Sequence, residues 1–183
     1  MRVEETAIPA VKILTPTKFG DSRGFFSEVY SKSAWDAAGL DFVFVQDNHS
    51  VSAAVGTLRG LHFQVAPCAQ DKLVRVARGR ILDVALDLRR ASSTFGRHVA
   101  IELSADNWRQ LLVPIGFAHG FVTLEPNSEV LYKTTAPYAP ACERGIAFDD
   151  PALAIAWPLP QAGPNLSERD KRWPRLAAAT DLF

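Results

Sequence analysis

A short segment that combines a histidine with an arginine carries the clearest chemical signal in this sequence. The hexapeptide Arg59–Gln64 contains His62, one of only four histidines in the chain. An imidazole has an unperturbed pKa of about 6.5, so it can take up and release protons near neutral pH. A guanidinium group such as that of Arg59 can bind a phosphate or carboxylate through paired hydrogen bonds. The segment therefore indicates proton transfer on an anionic substrate.

The spacing of these two side chains conflicts with simple strand geometry. Arg59 and His62 are three residues apart, and residues at odd separations point to opposite faces of a β-strand. Glycine inside a strand is typical of a β-bulge, which would bring both side chains to one face. We therefore predict a bulge at Gly60. The alternative is that His62 is a structural histidine with no chemical role.

A second histidine lies in a pattern that is typical of cupins, proteins built on a small jelly-roll barrel. Pro114–Phe121 contains His119 in the order P-x-G-x-x-H. Metal-binding cupins pair this histidine with an earlier H-x-H, but here the earlier element reads His62-Phe63-Gln64. Transition metals prefer imidazole to an amide oxygen, and the remaining ligand set is poor. We therefore expect no catalytic metal.

A tyrosine on a later strand provides an acid for the same chemistry. Tyr132 and Val130 are two residues apart on one predicted strand, so both side chains should point inward. A phenol has a reference pKa of about 10, so it stays protonated and can donate a proton to a carbanion. The alternative is a core tyrosine whose hydroxyl is hydrogen-bonded within the protein.

Two polar segments can supply contacts to a substrate. Asp21–Glu28 places an arginine after a probable turn and a glutamate at the end of an aromatic run. Gln46–Ser50 offers amide groups, whose donors and acceptors suit a nucleobase edge or a hydroxyl. The alternatives are a surface turn for the first segment and a plain polar loop for the second.

The elements that must position these residues are mostly β-strands. Leu82, Val84, Leu86 and Leu88 share one face of a strand. Many short alternating runs separated by glycine- and proline-containing turns indicate a β-sandwich or barrel. The sequence therefore predicts a mainly β fold.

Helices should be few. An early helix is predicted with Ser33 as its cap, Asp36 at the capping-box position and Gly39 at its end. A short helical piece is expected from Ser167 onward. The proline-rich stretch from 151 to 164 is predicted to be an irregular tail wrapped around one domain.

Composition limits the classes of function. The 183 residues suffice for one domain over residues 1–183. Twenty basic and twenty acidic residues balance, which argues against general binding to nucleic acid or an anionic membrane. No apolar run approaches the roughly 20 residues of a membrane span, and the acidic start lacks a signal-peptide pattern. Cys68 and Cys142 form no disulfide framework. We expect a cytoplasmic protein.

Several motifs occur together in a fixed order. They are Asp21–Phe26, Gln46–Ser50, Leu58–Gln64, Lys72–Val76, Gly116–Phe121, Leu131–Lys133 and Asn165–Asp170. In this order and spacing the chain resembles the dTDP-4-dehydrorhamnose 3,5-epimerase family over nearly its whole length. The resemblance implies a cupin-like jelly-roll β-barrel with a few short helices. It also implies a homodimer in which an N-terminal segment reaches the neighbouring subunit.

The resemblance implies a cofactor-free reaction on a nucleotide sugar. The substrate would be dTDP-4-dehydro-6-deoxy-D-glucose, and inversion at C3 and C5 would give dTDP-4-dehydro-L-rhamnose for polysaccharide synthesis. By resemblance His62 is the base, Tyr132 the acid, Asp170 the group that orients His62, and Lys72 the cation that stabilises the enolate. The implied substrate-binding residues are Arg23, Glu28, Gln46, Asn48, Arg59, His119, Tyr138, Glu143 and Arg169. Arg169 departs from the lysine that many relatives carry there, and a guanidinium is not equivalent to an ammonium.

Three alternatives remain open at this point. A mono-epimerase of a related deoxysugar nucleotide would begin enolisation with the same residues. A metal-dependent cupin would bind a transition metal near His62 and His119. A non-catalytic sugar-binding jelly roll would have no chemistry to lose on mutation of His62.

Overall fold

The computed structural model describes residues 1–183 and consists mainly of antiparallel β-strands. The strands and the one α-helix are β1 Arg2–Glu5, β2 Lys12–Thr15, β3 Lys18–Asp21, β4 Gly24–Ser27, α1 Lys32–Ala37, β5 Gln46–Ser52, β6 Leu58–Gln64, β7 Lys72–Arg78, β8 Arg80–Asp87, β9 His98–Ser104, β10 Gln110–Val113, β11 Phe117–Thr123, β12 Ser128–Thr134 and β13 Glu143–Gly145. No helix combines the length and the apolar character that crossing a membrane requires.

Two sheets form the body of the molecule, and a separate hairpin contacts it through Trp108. One sheet has the strand order β1-β2-β10-β7-β12-β5, and the other has the order β13-β6-β11-β8-β9. Strands β3 and β4 pair only with each other. The main core lies between the sheets, where Val74 and Val130 of the first sheet belong to one cluster with Ala85 and Phe121 of the second. The predicted mainly β, cupin-like jelly roll is confirmed.

Strand β8 is buried on both faces. Val84 and Leu86 lie in a second cluster with Leu153, and the C-terminal residues Trp157 and Phe183 pack against it. The chain from 151 to 164 contains no helix or strand. The proline-rich stretch is therefore irregular, as predicted, and its Leu153 and Trp157 cover the outer face of the second sheet.

The early helix exists, but its start was predicted wrongly. The N-cap residue is Ser31 instead of Ser33, and its side chain makes no capping hydrogen bond. Asp36 does not complete a capping box, because it lies five residues after the N-cap. It forms an ion pair with Lys32 instead. Gly39 follows the helix end with a φ of +73°, a conformation that glycine adopts without steric cost.

The C-terminal helical piece is smaller than a regular helix. Two single turns of 3₁₀-helix span Asp170–Arg172 and Leu176–Ala178. The first of these turns sits against β6. It brings Asp170 close to a residue more than a hundred positions earlier in the chain.

Candidate functional site

A cavity of about 510 Å³ opens between the two sheets. Most of the side chains around it are polar or charged. Its lining includes eleven of the thirteen residues predicted from the sequence: His62, Tyr132, Asp170, Lys72, Gln46, Asn48, Arg59, His119, Tyr138, Glu143 and Arg169. The fold thus gathers residues from six strands, from the segment after β12 and from the C-terminal tail around one space.

The predicted bulge explains how Arg59 and His62 reach the same cavity. On the neighbouring strand His119 pairs with His62 and Phe121 pairs with Arg59, so the register shifts between them. Gly60 has a φ of +133°, and a Cβ there would lie 2.5 Å from the Cα of Gly120. Because only glycine fits this close approach, the bulge predicted at Gly60 is confirmed.

His62 is held by a buried carboxylate. Its Nε2 lies 2.5 Å from Oδ1 of Asp170, and Nε1 of Trp173 donates to the same oxygen at 3.2 Å. Burial raises the pKa of the Asp170 carboxyl, but hydrogen bonds from His62, Ser167 and Trp173 outweigh it and leave the pKa below its usual value. An ionised Asp170 requires the hydrogen on Nε2, which leaves Nδ1 of His62 as the proton acceptor.

Lys72 places a cation beside the same histidine. Its Nζ donates to the backbone oxygen of His62 at 3.3 Å. Burial lowers the pKa of Lys72 to about 8, against the opposing charges of Asp83 and Glu143. Lys72 is therefore mostly protonated at pH 7, with a proton that is held less firmly than that of an exposed lysine.

His119 forms a second buried pair. Its Nε2 lies 2.6 Å from Oδ1 of Asp83, and both side chains are almost inaccessible to solvent. The other carboxylate oxygen of Asp83 is buried without a hydrogen-bond partner. The sequence prediction missed Asp83. The available signal was an aspartate inside the apolar strand β8, which pairs with the strand that carries His119.

Tyr132 is placed to remain a proton donor. It lies on β12 between Asn48 of β5 and Val74 of β7. Burial raises its pKa above the ordinary value of a phenol, although the charge of Arg59 opposes this effect. The hydroxyl is therefore protonated over the whole neutral range.

A three-residue cluster borders the cavity. The hydroxyl of Tyr138 donates to a carboxylate oxygen of Glu143 at 2.8 Å, and Arg169 forms an ion pair with the same carboxylate. Half of the Tyr138 side chain is exposed. An exposed aromatic ring beside a cation can stack on a base while the cation binds phosphate.

Gln64, at the position of a metal-ligating histidine in other cupins, uses its amide elsewhere. Its oxygen accepts from the backbone nitrogen of Ala139 at 2.7 Å. Its nitrogen donates to the backbone oxygens of Cys68 and Pro137. No group of three or more His, Cys, Asp or Glu side chains is arranged to hold a metal ion.

The two remaining predicted residues lie outside the cavity of their own chain. Arg23 is on the turn of the β3–β4 hairpin, ion-paired with Asp21 and with 87% of its side chain exposed. Glu28 follows β4 and borders a smaller hollow of about 140 Å³ together with Tyr30 and Trp35. Within one chain the structure does not bring Arg23 and Glu28 to the other predicted residues.

Comparison with known proteins gives a consistent result over the full length. Residues 5–178 match the family model described as dTDP-4-dehydrorhamnose 3,5-epimerase. A protein of that name from Pseudomonas aeruginosa is 52% identical over 184 residues, covering 100% of this chain and 99% of its own.

Solved structures show the same architecture. The dTDP-6-deoxy-D-glucose-3,5-epimerase of Legionella pneumophila, in complex with dTDP-4-keto-L-rhamnose, superimposes with a TM-score of 0.93 at 42% identity, covering 98% of this chain and 94% of its own. The dTDP-4-dehydrorhamnose 3,5-epimerase of Bacillus anthracis, with TDP and PPi bound, has a TM-score of 0.92 at 49% identity and coverages of 95% and 98%.

Proposed function

The chain belongs to the dTDP-4-dehydrorhamnose 3,5-epimerase family, and from this premise we propose how its cavity performs that isomerisation. The reaction inverts C3 and C5 of dTDP-4-dehydro-6-deoxy-D-glucose to give dTDP-4-dehydro-L-rhamnose. The observation that carries the proposal is the placement of a histidine–carboxylate pair and a protonated tyrosine around one cavity. The C4 ketone acidifies the hydrogens on both neighbouring carbons. Each centre is inverted when a base removes the hydrogen on one face and an acid returns it on the other.

His62 is the base in this proposal. The ionised Asp170 holds the ring through Nε2 and stabilises the imidazolium that forms after proton abstraction. The chain's own geometry supports the assignment, because Nδ1 is then the nitrogen that can accept a proton. No hydride carrier is needed, since the substrate is neither oxidised nor reduced.

Lys72 and Tyr132 complete the chemistry. Removal of the proton moves negative charge onto the C4 oxygen, and a fixed cation at that oxygen lowers the barrier. Lys72 supplies the cation next to His62. Tyr132, whose pKa is raised by burial, returns a proton to the carbanion.

The other predicted residues bind the substrate. We assign Tyr138, Glu143 and Arg169 to the nucleotide end of the cavity, where the ring and the ion pair lie together. Gln46, Asn48, Arg59 and His119 line the same cavity, and we assign them to the rest of the substrate. An arginine at 169 keeps the positive charge that a phosphate requires.

The positions of Arg23 and Glu28 outside the cavity of their own chain support a site that two protomers of a homodimer share. Both belong to the β3–β4 region, whose Phe19, Phe25 and Phe26 are all more than half exposed. An apolar patch of this kind indicates a protein–protein contact. We propose that the hairpin of one protomer reaches the cavity of its partner and completes it with Arg23 and Glu28.

Mixing two inactive variants tests the shared site. R23A lacks the arginine that it donates, and H62A lacks the base in its own cavity. After unfolding and refolding together, the mixed dimers contain one complete cavity, so about a quarter of wild-type turnover should return. If both variants are inactive alone and the mixture stays inactive, each cavity uses only its own chain.

Turnover of the nucleotide sugar tests the function itself. The protein is incubated with dTDP-4-dehydro-6-deoxy-D-glucose, a downstream reductase traps the product, and its stereochemistry is determined. In deuterated water both C3 and C5 should acquire label. Label at one carbon alone would identify a mono-epimerase.

We also propose that residues 1–183 form one epimerase domain in the cytoplasm. Both cysteines are free thiols, which agrees with a reducing compartment. Cell fractionation followed by immunoblotting checks the location. Limited proteolysis checks the domain, because a single domain should yield no stable internal fragment.

A further inference from the structure

The segment 136–139 between β12 and the 3₁₀ turn at Pro140–Cys142 is held by side-chain amides instead of a strand partner. Gln70 donates to the backbone oxygen of Ala136 at 2.6 Å, and Gln46 accepts from the backbone nitrogen of Tyr138 at 2.9 Å. Gln64 contacts both flanks of Tyr138. It donates to Pro137 and accepts from Ala139.

Gln64 is the central member of this set. Only 4% of the residue is exposed. Its amide makes three hydrogen bonds, all to backbone atoms. Burying an amide that has these partners costs little free energy. Loss of the side-chain amide would instead leave backbone groups of the segment without hydrogen bonds. Gln64 also lines the cavity, so it links the wall of the site to the segment.

These hydrogen bonds fix the backbone of Tyr138 and of both its neighbours. Tyr138 is half exposed, and its side chain is held at the hydroxyl, which donates to Glu143 and accepts from Arg169. Without a fixed backbone the ring would have to be ordered when ligand binds, and that ordering would weaken binding. A segment already fixed in the free protein avoids this loss.

We propose that Gln64 and Gln70 are positioning residues that fix segment 136–139, so that Tyr138 is preset to contact the nucleotide. The position that carries a metal ligand in other cupins serves here as a structural clamp for a ligand-binding loop. This inference rests on the proposed function, because it takes the nucleotide end of the cavity from that assignment.

Isosteric variants test the clamp through ligand affinity. Gln64→Met keeps the shape but removes three hydrogen bonds, and it should weaken dTDP binding about tenfold in calorimetry, the loss expected from about one net hydrogen bond. KM should rise by a similar factor while kcat at saturating substrate stays within about twofold, because the reacting groups are untouched. Gln70→Met, which removes one bond at a less buried position, should show a smaller effect in the same direction.

A matched control separates positioning from general stability. Thr123→Val also removes buried side-chain hydrogen bonds to the backbone, to Ala54 and Thr57, at a position away from the cavity. It should lower the melting temperature and leave dTDP affinity unchanged. If it weakens dTDP binding as much as Gln64→Met does, the loss of affinity comes from lower stability, and the proposed positioning role of Gln64 is wrong.

A double-mutant cycle shows whether the effect passes through Tyr138. With Tyr138→Ala as the background, Gln64→Met should cause less than twofold further loss of dTDP affinity, because the ring that it positions is already absent. A full tenfold loss in that background contradicts the proposal.

Hydrogen exchange in the ligand-free protein measures how firmly Gln64 holds the backbone of segment 136–139. The amide of Ala139 should exchange faster in Gln64→Met than in the wild type, and equal rates overturn the proposal. Failure of the proposed function looks different. A wild-type protein that binds no dTDP refutes the nucleotide site even where exchange shows that Gln64 fixes the segment.

Discussion

At the scale of single residues, the reaction depends on which groups carry protons. Asp170 must be ionised for His62 to present an unprotonated Nδ1, and the hydrogen bonds to Asp170 lower its pKa. Asp170→Asn keeps the shape but can impose the wrong tautomer on the imidazole. We expect kcat to fall by about 10³- to 10⁴-fold, as in other histidine–carboxylate pairs, with dTDP affinity retained. Coupled turnover and calorimetry measure the two quantities. Near-normal kcat in the variant would show that Asp170 has no role in orienting the base.

Lys72 sets the alkaline side of the pH profile. Burial lowers its pKa to about 8, and the protonated form is the one that can stabilise an enolate. Activity should therefore be retained below this value and fall as the pH rises through about 8. Tyr132 does not account for such a decline, because its pKa is raised above the ordinary value of a phenol.

Two variants of Lys72 check that assignment. Lys72→Met should lose about 10²- to 10³-fold in kcat, the usual cost of removing a group that stabilises an oxyanion. Lys72→Arg cannot deprotonate in this range, so whatever activity it keeps should show no decline near pH 8. An unchanged decline in Lys72→Arg would assign that titration to another group.

Sequence reasoning reached most of the cavity lining but not all of it. His62 and Tyr132 could be singled out by residue type and spacing, but their assignment as base and acid came from family resemblance, because each residue type also occurs in a structural role. Asp83 was missed because alternation alone places it opposite the leucines of β8, without showing what lies there. Only the pairing of β8 with β11 reveals His119 as its partner. The contact between His62 and Asp170 is equally non-local, and it was expected from family resemblance alone.

At the scale of elements, the bulge in β6 is the feature on which the site depends. Gly60 and Gly24 have nearly the same φ, +133° and +132°, but a Cβ at Gly60 would meet Gly120 at 2.5 Å while a Cβ at Gly24 would meet nothing within 4 Å. Gly24→Ala should therefore cost only the backbone strain of about 1–3 kcal/mol. Gly60→Ala should cost about 2 kcal/mol more, because the strands must separate. Urea denaturation of both variants gives the difference, and equal losses would mean that β6 and β11 adapt freely.

Local sequence patterns did not identify the first residue of the helix correctly. Ser31 and Ser33 are both good N-cap residues by type, and neither side chain makes the capping hydrogen bond. The choice is made by packing, since Trp35 must reach the cluster with Leu40 and Leu112. A tertiary contact of this kind leaves no signal in the local sequence. The helix end does leave one, because glycine is the residue that most readily adopts the positive φ seen at Gly39.

At the scale of the whole molecule, the proposed dimer assigns the exposed hairpin to the cavity of the partner. The cavity, the proposed base and the proposed acid are all present in one chain, but Arg23 and Glu28 are not at the cavity. Phe26 is 68% exposed on β4, where a partner would cover it in the proposed dimer. Phe26→Asp places a charge at this contact and should produce a monomer, because an unpaired charge in an apolar interface costs several kcal/mol.

The proposed sharing of the cavity between two protomers has a consequence for activity. The Phe26→Asp monomer should keep its fold and its His62–Asp170 pair, yet kcat/KM should fall at least about tenfold because substrate contacts from the partner are lost. Light scattering gives the mass and coupled turnover gives the rate. Val55→Asp, which alters an exposed apolar residue outside the hairpin, should remain dimeric and active. A Phe26→Asp monomer with wild-type kcat/KM would show that one chain holds everything the reaction requires.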